Sequence, residues 1–171
     1  PEISTIDDYY VDTGAIIGAE KVVRLGLEAH KQIGPVSWQS EFITTAVKRS
    51  GFNNVNFWGA YTYFSWFLSG ESRNYDAGTG RFLTVVPKKN LGRNGKGAFE
   101  IAARASYVDL TDEDIIGGQQ SNVSVGLNWY LNPSFRVMTN LIKVLDVNRP
   151  GSEFDGKNPL IFSLRVQWII L

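Results

Sequence analysis

The most basic stretch of the chain covers residues 70–97. Its cations are opposed only by Glu71 and Asp76. These cations are Arg73, Arg81, Lys88, Lys89, Arg93 and Lys96. Positive groups gathered in one segment attract anions, and a guanidinium offers a fork of donors that can replace part of the hydration shell of a phosphate. Residues 70–97, termed the basic segment, are therefore a candidate anion-binding element.

Further arginines lie in stretches where apolar and polar residues alternate. In the final run, FSLRVQWIIL, Leu164 and Val166 share one strand face while Arg165 lies on the other. The same reading gives a set of four on a polar face, namely Arg24, Arg104, Arg136 and Arg165.

Two interpretations of these four arginines stay open. A ladder of guanidinium groups along a water-filled wall would select anions, provided that each site releases the ion to the next. Alternatively, the arginines pair with carboxylates on the same face and only stiffen the wall; the candidate partners are Glu28, Glu41 and Glu100.

The sequence gives little support for an enzyme or a cofactor. It has no cysteine, which excludes thiolate metal sites and cysteine catalysis, and His30 is its only histidine. The enzyme alternative is a hydrolase built on a β-barrel of the outer membrane. Such an enzyme would need a serine, a histidine and a polar partner converging outside its barrel, and His30 near a turn is badly placed for that. The acidic stretch DLTDEDIIGG has Ile116 where a calcium loop needs a ligand, so it predicts a solvated outer loop with at most loose binding of divalent cations. We expect no enzyme activity, no cofactor and no metal site.

The elements that position the arginines have a period of two, which is typical of strands. Tight turns at IGPV and LNPS alternate with longer polar loops such as TDEDIIGGQQ. Ile43 and Ile142 interrupt the polar face, and FWGAYTYFSWFL is apolar on both sides. The pattern predicts seven strands of about ten residues and no helix; their segments are VRLGLEAH, WQSEFIT, FWGAYTYFSWFL, FEIAARASY, NVSVGLNWYL, FRVMTNLIKVL and FSLRVQWIIL.

Strand length and aromatic content favour an all-β, antiparallel transmembrane β-barrel. Transmembrane strands have about 9 to 11 residues, an outward apolar band and aromatic girdles, whereas strands in soluble sandwiches average about 5 to 6 residues. The aromatic residues in question are Trp38, Trp58, Trp66, Trp129, Tyr130 and Trp168. A soluble β-barrel or sandwich acting as a binding module is the alternative. The 17 basic and 17 acidic residues balance, which gives no reason to expect a nucleic-acid partner.

Several stretches resemble, in order and spacing, the C-terminal half of the phosphate-selective porin O and P family. They are GPVSWQSEF, FLSGESRNYD, GAFEIAARASYVDL, IIGGQQSNVSVGLNWYLNP and FSLRVQ, with GLNWYLNP the most specific. The resemblance implies a sixteen-stranded, usually trimeric porin in the outer membrane of a Gram-negative bacterium, in contact with lipid and lipopolysaccharide. It also implies a basic lumen that passes small anions such as phosphate or polyphosphate. A general or structural porin-like piece without anion selectivity is the second interpretation.

The strand count predicts that residues 1–171 form a single partial barrel. If IGPV and LNPS are periplasmic turns and TDEDIIGG is an outer loop, seven strands begin outside and end inside. Bacterial single-chain barrels have an even number of strands, and open edges in lipid leave amides unsatisfied. We therefore expect an N-terminal half that supplies the other nine or so strands.

The same parity puts both ends of the basic segment on the periplasmic side. Long insertions in such places are often functional, and the resemblance implies that this one folds into the lumen. The alternatives are a solvated periplasmic loop or a short hairpin through RFLTVVP.

Overall fold

The structure, a computed structural model, describes residues 9–76, 78–92 and 94–169. Seven strands form one antiparallel sheet in the order β1-β2-β3-β6-β7-β8-β9, and β4 pairs with β5 in a separate small hairpin. The strands are β1 (Ala19–Ile33), β2 (Val36–Arg49), β3 (Val55–Phe67), β4 (Tyr75–Asp76), β5 (Arg81–Phe82), β6 (Ala98–Asp112), β7 (Ile115–Asn132), β8 (Phe135–Asn148) and β9 (Leu160–Trp168). The predicted all-β fold and the number of seven strands in the sheet are confirmed, but six of the seven are longer than predicted, with 13 to 18 residues. In the part of the chain that the structure describes, no helix is long and apolar enough to cross a membrane.

The connections fall into two groups at opposite ends of the sheet. At the turn end, two-residue turns join β1 to β2 and β7 to β8, and the long connection 68–97 joins β3 to β6. At the loop end lie residues 50–54, 113–114 and 149–159. Gly34 has a φ of 54°, which the β1–β2 turn needs and glycine adopts without strain. The basic segment therefore leaves and rejoins the sheet at the same end as the tight turns.

One face of the sheet is apolar and exposed. The alternation in the sequence is preserved by the pairing register, so that Val125, Leu141 and Phe162 lie on the same face of β7, β8 and β9. Leu27, Phe162 and Leu164 are 75%, 68% and 61% exposed. A continuous exposed apolar face of this extent is not compatible with water on that side.

Aromatic residues of the apolar face form two rows. Near the turn end, Phe99 stacks on Trp129 with ring centroids 5.6 Å apart. Toward the loop end, Trp58 packs on Tyr107 at 4.9 Å. Phe99 and Tyr107 are eight residues apart in β6, which is roughly 26 Å along a strand and about 20 Å in height at the usual tilt. The spacing suits the apolar band of a membrane barrel, about 25 Å tall.

The opposite face carries most of the polar side chains, and it will be called the polar face. The register brings Glu28 opposite Glu41, and Glu41 opposite Tyr61. The strand FWGAYTYFSWFL, whose faces could not be assigned from sequence, turns Tyr61 and Tyr63 to the polar face and Trp58 to the apolar face. Tyr130 also lies on the polar face, so it does not belong to the aromatic rows.

The stretch TDEDIIGGQQ is not the long polar loop that the sequence suggested. β6 continues to Asp112 and β7 begins at Ile115, so only Glu113 and Asp114 form the turn. Strands of 15 and 18 residues are longer than a membrane requires. Their ends project beyond the apolar band, where Leu110 and Ile115 pack against a buried apolar cluster and the simple alternation of apolar and polar faces is lost.

The acidic side chains at this turn contact the end of β2, the β2–β3 connection and the start of β3. Arg49 binds Asp114 through both of its terminal nitrogens, and this bond holds the pKa of Asp114 below its usual value. Asp112 accepts the backbone N–H of Asn56 at 2.7 Å, and Glu113 accepts Asn53 Nδ2 at 2.9 Å. Among the described residues no group of three or more metal-ligating side chains is arranged to hold an ion.

At the loop end, the N-terminal residues 9–17 cross the polar face. Ile16 packs on a buried apolar cluster formed by Val47, Val55 and Phe57. Tyr10 contacts Phe154 edge to face at 5.1 Å. Apolar packing therefore covers the polar face at this end.

Candidate functional site

The basic segment lies against the polar face at the turn end. The β4–β5 hairpin brings Tyr75 and Phe82 onto His30 of β1, with ring centroids 5.5 and 4.7 Å away. Val85, on the returning part of the segment, is buried in a cluster with Phe67, Ala98 and Tyr130. The hairpin is formed by Arg81 and Phe82 with residues 75–76, and it packs on the sheet through its aromatic rings.

Glu100 is the main polar contact between the sheet and the segment. Its side chain is fully buried on β6. Arg73, in the segment, donates from Nε to Oε1 at 2.9 Å, and its Nη2 lies 2.7 Å from the same oxygen in an ion pair. Asn128 Nδ2 and Tyr130 OH donate to Oε2 at 2.9 and 2.8 Å. Both carboxylate oxygens are therefore satisfied, as burial of a charge requires.

Arg73 has a second contact with the sheet. Its Nη2 donates to the hydroxyl of Tyr63 at 3.1 Å, and its guanidinium lies 5.6 Å from the centre of that ring. Burial alone would lower the pKa of Arg73, but Tyr63 and Glu100 raise it overall. The arginine therefore stays charged and fixes the segment to β3 and β6 together.

Glu71 links the start of the basic segment to its returning part. It is 5% exposed and accepts the backbone N–H of Lys88 at 3.0 Å. In return, Lys88 Nζ donates to the backbone oxygen of Gly70 at 2.7 Å. Although burial alone would raise it, hydrogen bonds from Ser69 and from the Lys88 backbone leave the pKa of Glu71 lowered.

Gly97 marks the point where the segment rejoins the sheet. Its φ is 74°, and a Cβ at this position would collide with the backbone oxygen of Tyr130. Only glycine fits this close approach.

The cations of the segment occupy different places. Arg73 lies on the polar face, whereas Lys88 and Lys89 are exposed on the segment. Lys96 lies at the rim, because its backbone oxygen accepts the indole N–H of Trp129, a ring of the apolar face. Arg81 contributes its backbone to β5, and Arg93 lies outside the described residues. The structure thus brings Arg73 onto the sheet, whereas Lys88, Lys89 and Lys96 are exposed at the turn end.

The four arginines of the strands all lie on the polar face. Arg24 and Arg165 are exposed, and Arg24 Nε donates to Thr45 Oγ1 at 3.4 Å. Arg104 lies over the ring of Tyr61, 4.3 Å from its centre. Arg136 donates from Nε and Nη2 to Gln167 Oε1 at 2.9 and 2.7 Å.

The alternative interpretation, in which the arginines of the strands pair with carboxylates, named Glu100 among the partners. The partner of Glu100 is Arg73, which comes from the segment. Sequence reasoning also missed the phenols of Tyr61, Tyr63 and Tyr130, each of which contacts an arginine. The alternation alone gave a signal only for Tyr130, since the strand holding the other two was apolar on both sides.

A cavity of about 220 Å³ lies between the basic segment and strands β7 and β8. Arg73 and Arg136 line it together with Thr84, Tyr130 and Asn132. The contacts of Arg73 with Glu100 and of Arg136 with Gln167 use Nε and Nη2 of each guanidinium. Guanidinium donors beside phenol and amide groups can hold a hydrated anion.

Comparisons with known proteins agree with this architecture. The family model for phosphate-selective porin O and P matches residues 1–169. An uncharacterized protein of Caulobacter vibrioides is 32% identical over 121 residues, which are 67% of this chain and 23% of that protein. Porin O of Pseudomonas aeruginosa is 24% identical over 158 residues, which are 84% of this chain and 34% of that porin. The chain thus spans about a quarter to a third of the length of these relatives. It belongs to the phosphate-selective porin O and P family.

Proposed function

We propose that this chain is part of the wall of a porin in the outer membrane of a Gram-negative bacterium, and that the polar face lines a water-filled lumen that passes small anions. The observation that carries this proposal is the division of one sheet into an exposed apolar face with aromatic rows and a polar face with arginines. Lipid on one side and water on the other account for both. A soluble binding module would leave the apolar face in water, at a large cost in free energy.

The missing strands are part of the proposal. β1 and β9 are the edge strands of the sheet, and edges in lipid would leave backbone amides unsatisfied. We propose that further strands close a sixteen-stranded barrel, that barrels associate as trimers, and that lipid and lipopolysaccharide surround them.

Anion preference is supported by the charge on the polar face. Arginines at several heights along the strands offer successive sites, and the basic segment adds charge at one mouth. Fixed positive charge in a narrow aqueous channel attracts anions and repels cations.

A less selective pore is the second candidate, because Glu28 and Glu41 face each other on the same wall. Carboxylates there offset part of the arginine charge. In that case the pore would pass cations and anions with similar ease.

The test is the reversal potential of the full-length protein in planar bilayers under a salt gradient. Anion preference is expected at ~0.01 M salt, where the Debye length is roughly 30 Å, and should weaken at ~1 M, where it is roughly 3 Å. A reversal potential near zero at low salt would favour the general porin. Block of chloride current by added phosphate would indicate a phosphate site, whereas no block would leave a general anion pore.

A double substitution tests whether the basic segment is the source of the anion preference. Lys88→Gln with Lys89→Gln should lower the anion preference, because two positive charges are removed from one mouth of the pore. Lys21→Gln with Lys48→Gln is the matched control: these residues pair across β1 and β2 at the loop end, in line with the apolar face. An equal effect from both pairs would show that net charge, and not the segment, determines the preference.

A further inference from the structure

The basic segment makes several polar contacts with the sheet, and the ion pair of Arg73 with Glu100 is the one in which a buried charge of the sheet is paired. Among the residues that the structure describes, the β4–β5 hairpin has no ladder pairing with the seven-stranded sheet. Glu100 receives Arg73 from the segment and Asn128 and Tyr130 from β7. The carboxylate thus joins the segment to two neighbouring strands at once.

Burial makes the ion pair of Arg73 with Glu100 costly to break. Glu100 is 0% exposed and the Arg73 side chain is 21% exposed. Removing one partner from a buried ion pair leaves the other charge without compensation, which is strongly destabilising. Glu28 and Glu41, which also lie on the polar face, are more exposed than Glu100.

We infer that Glu100 is a positioning residue that holds the basic segment on the polar face. Its negative charge does not act on the permeating anion directly, because Arg73 neutralises it and the segment covers it. Arg73 correspondingly serves as an anchor, while the exposed cations of the segment remain available to anions. The effect on permeation rests on the proposed function, whereas the attachment of the segment does not.

Glu28→Gln is a matched control for Glu100→Gln. Both substitutions remove one negative charge from the polar face, but Glu28 is exposed on β1, whereas Glu100 is buried on β6 in an ion pair with Arg73. If only charge mattered, both variants would raise anion preference. If Glu100 holds the segment, Glu100→Gln lowers anion preference, because the segment and its cations leave the path.

The experiment uses the full-length protein and two readouts. Trypsin cleavage within the segment, at Lys88 and Lys89, should accelerate by about tenfold or more in Glu100→Gln, the factor that ~1.4 kcal/mol of local opening produces. It should be unchanged in Glu28→Gln. In bilayers, the two variants should shift the reversal potential in opposite directions.

Arg73→Gln is the second variant. It breaks the same contact without changing any residue of the strands, because residue 73 lies outside them. It should reproduce the faster cleavage. The inference is overturned if Glu100→Gln and Arg73→Gln are both cleaved at the wild-type rate, or if Glu100→Gln raises anion preference as Glu28→Gln does. A wild-type pore without anion preference would refute the proposed function and leave the cleavage test of the attachment intact.

Discussion

The polar face is covered at both ends, but by different kinds of contact. At the loop end, Ile16 packs on the apolar cluster around Phe57. At the turn end, the ion pair of Arg73 with Glu100 holds the basic segment, with a small apolar cluster beside it. Apolar packing depends on volume, while the ionic contact depends on charge and geometry. The two coverings should therefore respond to different substitutions.

The largest expected difference is between the two ends of the sheet in their accessibility from outside the cell. Single cysteines at Glu153, in the 149–159 connection, and at Ser134, in a two-residue turn, mark the loop end and the turn end. In intact cells a membrane-impermeant thiol reagent should label Glu153→Cys and leave Ser134→Cys unlabelled, because the longer connections of outer-membrane barrels lie outside. Preferential labelling at 134 would reverse the topology.

A core substitution at the loop end should have a smaller effect, confined to that end. Phe57→Ala removes the ring from the apolar cluster on which Ile16 packs. It should lower the free energy of unfolding by about 3 kcal/mol. Chymotrypsin cleavage at Tyr9 and Tyr10 should accelerate, whereas Phe57→Leu, which keeps most of the volume, should change it little.

The same samples check whether the two coverings are independent. Trypsin cleavage at Lys88 should not change in Phe57→Ala, because the two apolar clusters share no residue. Coupled cleavage at both ends would show that the coverings form one cooperative unit.

The smallest expected effect is the pH dependence of the turn end. The pKa of Glu71 is lowered, so its contribution to stability is present above the usual carboxyl pKa and is lost as the pH falls through the lowered value. Glu71→Gln should reduce protection of the Lys88 amide from hydrogen exchange about fivefold at pH 7, or ~1 kcal/mol.

The pH series supplies the control for this prediction. The difference between wild type and Glu71→Gln should vanish at acid pH, when both side chains are neutral. Equal protection at pH 7 would contradict the role of the Glu71 charge.

The sequence was informative where one face of a strand is apolar and exposed. Leu164 and Arg165 were assigned to opposite faces because the alternation is strict along the last strand. The alternation fails at TDEDIIGGQQ, since the strand ends there extend beyond the apolar band and pack against the apolar cluster at the loop end. An acidic polar stretch there could not be told from a loop.

The contacts of the basic segment could not be predicted for a different reason. Arg73 and Glu100 are 27 residues apart, and their pairing depends on the path of the chain between them. No local period encodes that path. The carboxylate of Glu100 was assigned to the polar face correctly, but the pairing interpretation placed its partner among the arginines of the strands.

The central claim is that the basic segment lies in a water-filled path bounded by the polar face. Thr84 is exposed on the segment and lines the cavity with Arg73 and Arg136, whereas Leu164 lies on the apolar face. Single cysteines at these two positions in the full-length protein can be treated with an anionic, water-soluble thiosulfonate while current is recorded. Thr84→Cys should react and lower both conductance and anion preference, and Leu164→Cys should give no change. An unchanged current through Thr84→Cys, with modification verified by mass, would contradict the claim.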